Sequence, residues 1–295
     1  MIEKDYLDYG KSRSNHGVSN GNREDARDTM RQAAIRAEKY GEIEGSIENE
    51  RCRQMLYRDY PQIKDVIKRI SQANPTYYKE GNIEVKKLGD GAYEVNWKYK
   101  GVYTRTSLTV STEDENFNPQ EFGHDHYIYA NGGSLDGDEY DEQNEFLNFP
   151  ITNELYMVDS FLFATDEYGR TSFAWADVTE ALNEVKRSKR DCSRDFSDWV
   201  SQHGYSSDLT GHIISLKFNG PTEIVNVVPM NATFVTSGEW ANDYERKILQ
   251  AVNDGHDVST YIELVYEGDR KRPWRFRTST TINDLETNKS YQNKA

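Results

Sequence analysis

Apolar residues near the start of the chain recur at helical spacing. Ile63, Val66, Ile67 and Ile70 fall on one face behind Pro61, a good first-turn residue. They predict a helix beginning at Pro61 and stopped by Asn74-Pro75. A second helix is predicted over Glu44–Tyr57. Upstream, Met30, Ala33, Ala34 and Ala37 give a thinner stripe over Arg23–Tyr40. Asn22 is its expected N-cap, Glu24 and Asp25 suit the positive end of its dipole, and Gly41 ends it. Residues 1–21, polar and rich in Gly, Ser and Asn, read as a flexible lead. The helical region 22–74 therefore suggests a small bundle that packs on the body or on a partner.

The period changes to two from Ile83. Tyr93, Val95, Trp97 and Tyr99 alternate with polar residues, Lys100-Gly101 supplies a turn, and Val102–Val110 returns as a partner strand. Strand character resumes over Leu155–Ala164. A turn is expected at Asp166-Glu167-Tyr168-Gly169, a returning strand over Arg170–Trp175 and a helix over Asp177–Lys189. The expected architecture is α+β. A helical N-terminal region is followed by an antiparallel β-rich part (75–148) and a C-terminal domain (149–295).

Composition narrows this picture. The 295 residues suffice for two modest domains, and 20 Tyr, 11 Phe and 5 Trp argue for folded structure despite a hydrophobic fraction of 36%. The two cysteines, Cys52 and Cys192, indicate no disulfide framework. No apolar run approaches the roughly 20 residues of a membrane helix, and Met1–Tyr6 lacks the apolar core of a secretory signal. A cytoplasmic location, or export without a cleaved signal peptide, is expected. The net charge of −14 means that any nucleic-acid role must rest on a local basic patch. Between Glu113 and Glu145 there are eleven acidic residues and no Lys or Arg, whereas Asp208–Arg277 holds eight basic and ten acidic residues. The acidic segment 113–145 and the N-terminal helices are the expected surfaces for a protein partner.

The stretch with the most specific chemistry is Asp208-Leu209-Thr210-Gly211-His212, followed by the apolar run Ile213-Ile214-Ser215-Leu216. Asn226-Val227-Val228-Pro229-Met230-Asn231 comes next, then Gly238-Glu239-Trp240 and a helical segment ending near Gly255. Val265–Pro273 closes the segment with the basic cluster Arg270, Lys271 and Arg272. This order of elements resembles the DNA/RNA non-specific endonuclease family, whose centre is a ββα-metal motif. The resemblance covers roughly residues 149–282, including the turn Thr165–Arg170. It implies a C-terminal ββα-metal nuclease-like domain of the toxin or effector kind, found in bacteria or phages, that hydrolyses DNA or RNA. His212, expected at the head of an apolar strand, would be the general base that activates water. One Mg²⁺ or another divalent cation would sit at the phosphate, and Arg270, Lys271 and Arg272 would contact the substrate.

Two positions depart from the family pattern. The acidic residue expected three places before the histidine is Leu209, and Asp208, one place earlier, is its candidate substitute. The family's metal-binding Asn corresponds to Val235, which cannot ligate a cation. Asn231 and Asn242 are the candidate replacements. The same departures, with the acidic charge, support an alternative: a catalytically degenerate nuclease fold that serves as a protein-binding, inhibitory or structural subunit. Elsewhere, His124-Asp125-His126 could form half of a metal site, and Asp136-Gly137-Asp138 with Asp141 and Glu145 weakly resembles a calcium loop. For both, chance and a solvated loop are the simpler readings.

Overall fold

The computed structural model describes residues 45–76, 78–99, 102–112, 117–133, 143–184 and 196–294. The chain divides into two units, residues 1–51 and 52–295. In the first unit, residues 45–51 are helical; the expected lead and the expected helix over Arg23–Tyr40 lie outside the described residues.

The second unit begins with helical residues 52–59 and the helix Pro61–Ala73. That helix buries Ile63, Val66, Ile67 and Ile70, the four positions that share one face at 3.6 residues per turn. Burying an aliphatic side chain fully stabilises a fold by roughly 1.5–3 kcal/mol, so this face fixes how the helix docks.

The strands are β1 (Ile83–Gly89), β2 (Ala92–Tyr99), β3 (Val102–Ser111), β4 (Tyr127–Ala130), β5 (Leu155–Val158), β6 (Phe161–Thr165) and β7 (Thr171–Asp177), then β8 (Asp208–His212), β9 (Val227–Asn231), β10 (Val258–Val265), β11 (Arg275–Ile282) and β12 (Leu285–Gln292). Ten of them form one sheet in the order β1-β2-β3-β4-β5-β6-β7-β10-β11-β12, and β8 pairs with β9 alone. The molecule is α+β, as the alternation of periods implies. Tyr93, Val95 and Trp97 are fully buried on one face of β2, while the residues between them pair outward.

Three local expectations change. The apolar run Leu155–Ala164 is a hairpin, β5 against β6, turning at Asp159 with a left-handed φ of 54°. Both of its strands are buried on both faces, which removes the alternation that would have marked the turn. All neighbours in the large sheet are antiparallel except β4 and β5, which run parallel with Ile128 opposite Tyr156. The helix expected over Asp177–Lys189 is helical over Val178–Glu184, and residues 185–195 lie outside the described set.

After β9 come a short helix, Ala232–Thr236, a π-helical turn, Trp240–Glu245, and the helix Arg246–Asn253, which ends before Gly255 at φ 84°. With β8 and β9 these make a ββα unit. An aromatic cluster fastens it to the sheet: Trp240 packs on Phe234, Phe276 and Tyr244 at centroid distances of 5.7, 4.9 and 4.2 Å. The buried hydroxyl of Tyr244 is hydrogen-bonded to Thr260 of β10 at 3.0 Å.

Candidate active site

His212 is the last residue of β8, opposite Val227 of β9. The apolar residues after it do not extend the strand, contrary to the expectation that His212 heads one. Ile213 and Ile214 turn instead into the core, both fully buried. Asn226 fixes this turn. Its side-chain oxygen accepts the Ile214 N–H at 2.7 Å, and its amide donates to the carbonyls of Ile214 and Pro221 at 2.8 and 2.7 Å. At the same place a Cβ on Gly220 would lie 2.1 Å from the Ile214 carbonyl oxygen, so only glycine allows this close backbone approach. Lys217 pairs with the buried carboxylate of Glu245 at 2.7 Å and ties the loop to the π-helical turn.

His212 is half-buried, and burial alone pushes its imidazole pKa down to about 4. The ring makes no hydrogen bond to another described residue. It is therefore neutral at physiological pH, the protonation state that accepts a proton from water.

Asp208 sits at the other end of the β8–β9 ladder, opposite Asn231. Four residues of strand separate that end from His212, roughly 13 Å at about 3.3 Å per residue. Its carboxylate is buried and held bidentately by Arg272, Nε to Oδ2 at 2.6 Å and Nη2 to Oδ1 at 3.0 Å. The Tyr205 N–H donates to the same carboxylate at 2.7 Å. Arg272 also donates to the Asn293 carbonyl at 2.7 Å and covers the Tyr205 ring at 4.5 Å. Asn293 in turn accepts the Asn231 N–H at 2.9 Å and donates to the carbonyls of Pro229 and Pro273 at 3.0 and 2.8 Å. Asp208 and Arg272 thus join each other, in a network that anchors the chain beyond β12 to the β8–β9 hairpin. Asn293 escaped sequence reasoning because an Asn in a polar terminal stretch carries no local signal.

The resemblance places a divalent ion near this unit, and the residues present do not fit one. Val235 lies half-buried against the hydrophobic core. Asn231 caps the Ala232–Thr236 helix, its side-chain oxygen accepting the N–H groups of Thr233 and Phe234 at 3.0 and 3.3 Å. Asn242 lies in the π-helical turn and donates to the Ser237 carbonyl at 2.5 Å. Leu209, at the family's acidic position, is 46% exposed. Among the described residues, no group of three His, Cys, Asp or Glu side chains could hold a metal. His126 instead faces Glu154, Nε2 to Oε2 at 2.7 Å, and packs edge-on against Tyr60 at 4.9 Å. Neither atom of that close contact is angled for a hydrogen bond. Burial pushes the neighbouring His124 imidazole pKa down. Of the calcium-like residues, Asp136, Gly137, Asp138 and Asp141 lie outside the described set, and the Glu145 carboxylate accepts from Asn148 at 3.3 Å.

The remaining basic candidates differ in setting. Arg270 is exposed and 3.7 Å from Glu267. Lys271 donates to the Tyr168 carbonyl at 2.5 Å, and burial pushes its pKa down. Lys271 also lines a cleft of about 790 Å³ whose floor includes Val227 and Val228. His212 is not among the residues lining this cleft, although its ladder partner Val227 is.

Residues 152–284 match the family model described as DNA/RNA non-specific endonuclease. Two solved structures are similar at low identity. One, an extracellular endonuclease, is 15% identical with a TM-score of 0.32 over 50% of this chain and 82% of its own. The other, Sda1 nuclease with bound zinc ion, is 13% identical with a TM-score of 0.28 over 76% of this chain and 93% of its own. The ββα unit, with His212 at the end of its first strand, falls within the residues that match the DNA/RNA non-specific endonuclease model.

Proposed function

We propose that the protein hydrolyses phosphodiester bonds in DNA or RNA, with His212 as the general base. The observation that carries this reading is the position of His212, at the end of the first strand of the ββα unit and within the residues 152–284 that match the family model. Its side chain is a neutral imidazole with no hydrogen bond to another described residue, held at a strand end by a loop that Asn226 pins. Such a group can take a proton from water as the water attacks phosphorus. Asp208 and Arg272 serve stability here: a fully buried carboxylate held by a bidentate guanidinium is out of reach of an attacking water.

A divalent ion in this family would stabilise charge on the phosphate, and the protein offers no side-chain oxygen at position 235 for it. The absence of that ligand should cost orders of magnitude in rate, each factor of ten corresponding to about 1.4 kcal/mol on the barrier. We therefore expect slow cleavage, and Val235→Asn should raise the rate in Mg²⁺ at least tenfold. An unchanged Val235→Asn rate, in a variant shown to be folded, would remove position 235 from the account.

A second reading has its own observation. With Asn231 committed to capping a helix and Asp208 to Arg272, the unit can be a nuclease fold retained for binding. Plasmid and RNA cleavage by wild type and His212→Ala, in Mg²⁺, Mn²⁺ and EDTA, separates the two. Cutting that His212→Ala loses supports hydrolysis, and a well-folded wild type that never cuts supports binding alone.

A further inference from the structure

The cleft above Val227 and Val228 has a composition at odds with the rest of the chain. The whole chain holds 36 basic and 50 acidic residues, yet the cleft is lined by Lys68, Arg69, Arg170 and Lys271 against one acid, Asp65. Arg170 is neutralised by Asp166 at 2.6 Å. Lys68, Arg69 and Lys271 have no carboxylate partner among the described residues. Lys68 and Arg69 stand on the exposed side of the Pro61–Ala73 helix, outside residues 152–284. Partial burial already penalises the Lys271 ammonium, and an anion beside it would offset that penalty.

Aromatic rings line the same cleft. The Arg69 guanidinium lies over Phe149 at 5.5 Å. Tyr168, 44% exposed, is backed by Arg170 at 4.5 Å, so its outer face is open to a planar ligand. Trp199 also lines the cleft and rests on His203 at 4.6 Å. Cations without a carboxylate partner and stacking rings in one cleft are the combination that holds an unpaired polynucleotide: cations take phosphates and rings take bases. A volume of about 790 Å³ is the size of a small-ligand pocket and has room for a few nucleotides of single strand.

We propose that this cleft is a single-stranded nucleic-acid subsite, with Lys68, Arg69 and Lys271 on the phosphates and Phe149, Tyr168 and Trp199 on the bases. Its floor is the strand that pairs with β8, and the Cα of Val227 is within about 5.5 Å of that of His212. A strand lying in the cleft would thus pass one β-strand away from His212, which does not itself line it. The proposal rests on the nuclease reading for its purpose, and its test does not require turnover.

Binding of a short fluorescent single-stranded oligonucleotide to the full chain in EDTA, followed by anisotropy across a salt series, measures the subsite directly. For the double variant Lys68→Gln/Arg69→Gln, whose side chains are exposed, the Kd should rise about tenfold or more. Its dependence of log K on log salt should be shallower by roughly 1.4, about 0.7 for each lost phosphate contact on a single strand. Phe149→Ala should weaken the oligonucleotide and leave the salt slope unchanged. An unaltered Kd in the double variant, tighter binding of a duplex, or equal competition by polyglutamate would each overturn the proposal. Failure to cut with binding intact would sink the hydrolytic reading and leave the subsite standing.

Discussion

His212 is poised by what surrounds it rather than by a partner. Its pKa is depressed in the folded state to about 4 from an ordinary 6.5, so between those values the unfolded chain binds more protons than the folded one. The stability that His212 confers is therefore complete above about pH 6.5 and is lost as pH falls toward 4. A urea titration at several pH values should show wild type losing roughly 2–3 kcal/mol across that window, and His212→Gln losing less. The same depression moves the acid limb of catalysis. If cleavage depends on neutral His212, kcat/KM should stay level from pH 8 to about 5.5 and fall only near 4. A limb near 6.5 would show that the imidazole is solvated in the working enzyme. Asp208 is the contrasting residue. Asp208→Ala leaves Arg272 buried without its carboxylate and should cost about 3–5 kcal/mol, read as a lower Tm. A variant as stable as wild type would return Asp208 to the list of candidate catalytic groups. The sequence marks His212 and Asp208 by type and spacing. It cannot reveal that Asp208 and Arg272, 64 positions apart, satisfy each other.

At the scale of elements, the ββα unit depends on the loop between β8 and β9. Asn226 is fully buried and meets three backbone groups across that loop. Asn226→Ala would leave the Ile214 N–H and two carbonyls without a partner, at about 1–3 kcal/mol for each buried unpaired group. We expect a Tm drop of several degrees or more, and loss of any cleavage before global unfolding. Full activity in that variant would mean that the loop does not position His212. Several elements were legible in advance for clear reasons. The Pro61–Ala73 helix has one apolar face and a proline start, and β1–β3 have one buried face, so their periods survive in the sequence. The β5–β6 hairpin is buried on both sides and loses its period, and the parallel β4–β5 pairing depends on contacts across 28 residues that no local pattern encodes. The end of β8 at His212 is hidden in the sequence because Ile213 and Ile214 are apolar for the sake of the core, not of a strand.

On the scale of the whole molecule, the family-matched segment is not a separate body. Its strands β5–β7, β10 and β11 lie in one sheet with β1–β4, and the preceding segment is hydrogen-bonded to it. The Glu223 carboxylate accepts the Asn144 N–H at 2.9 Å, and the Asn148 side chain accepts the Ile224 N–H at 3.1 Å. No helix among the described residues is long and apolar enough to cross a membrane. The excess negative charge of the chain should repel nucleic acid except where the cleft concentrates cations, so binding should be strongly salt-dependent. The most direct measurement of hydrolysis by the His212 unit is cleavage of supercoiled plasmid and of RNA by wild type and His212→Ala at matched concentration, in Mg²⁺ and Mn²⁺. Wild type should nick slowly and His212→Ala at least a hundredfold less, with the same thermal melt at neutral pH. Equal cleavage by the two proteins, or none by a fully folded wild type in any of these ions, would contradict hydrolysis by this unit.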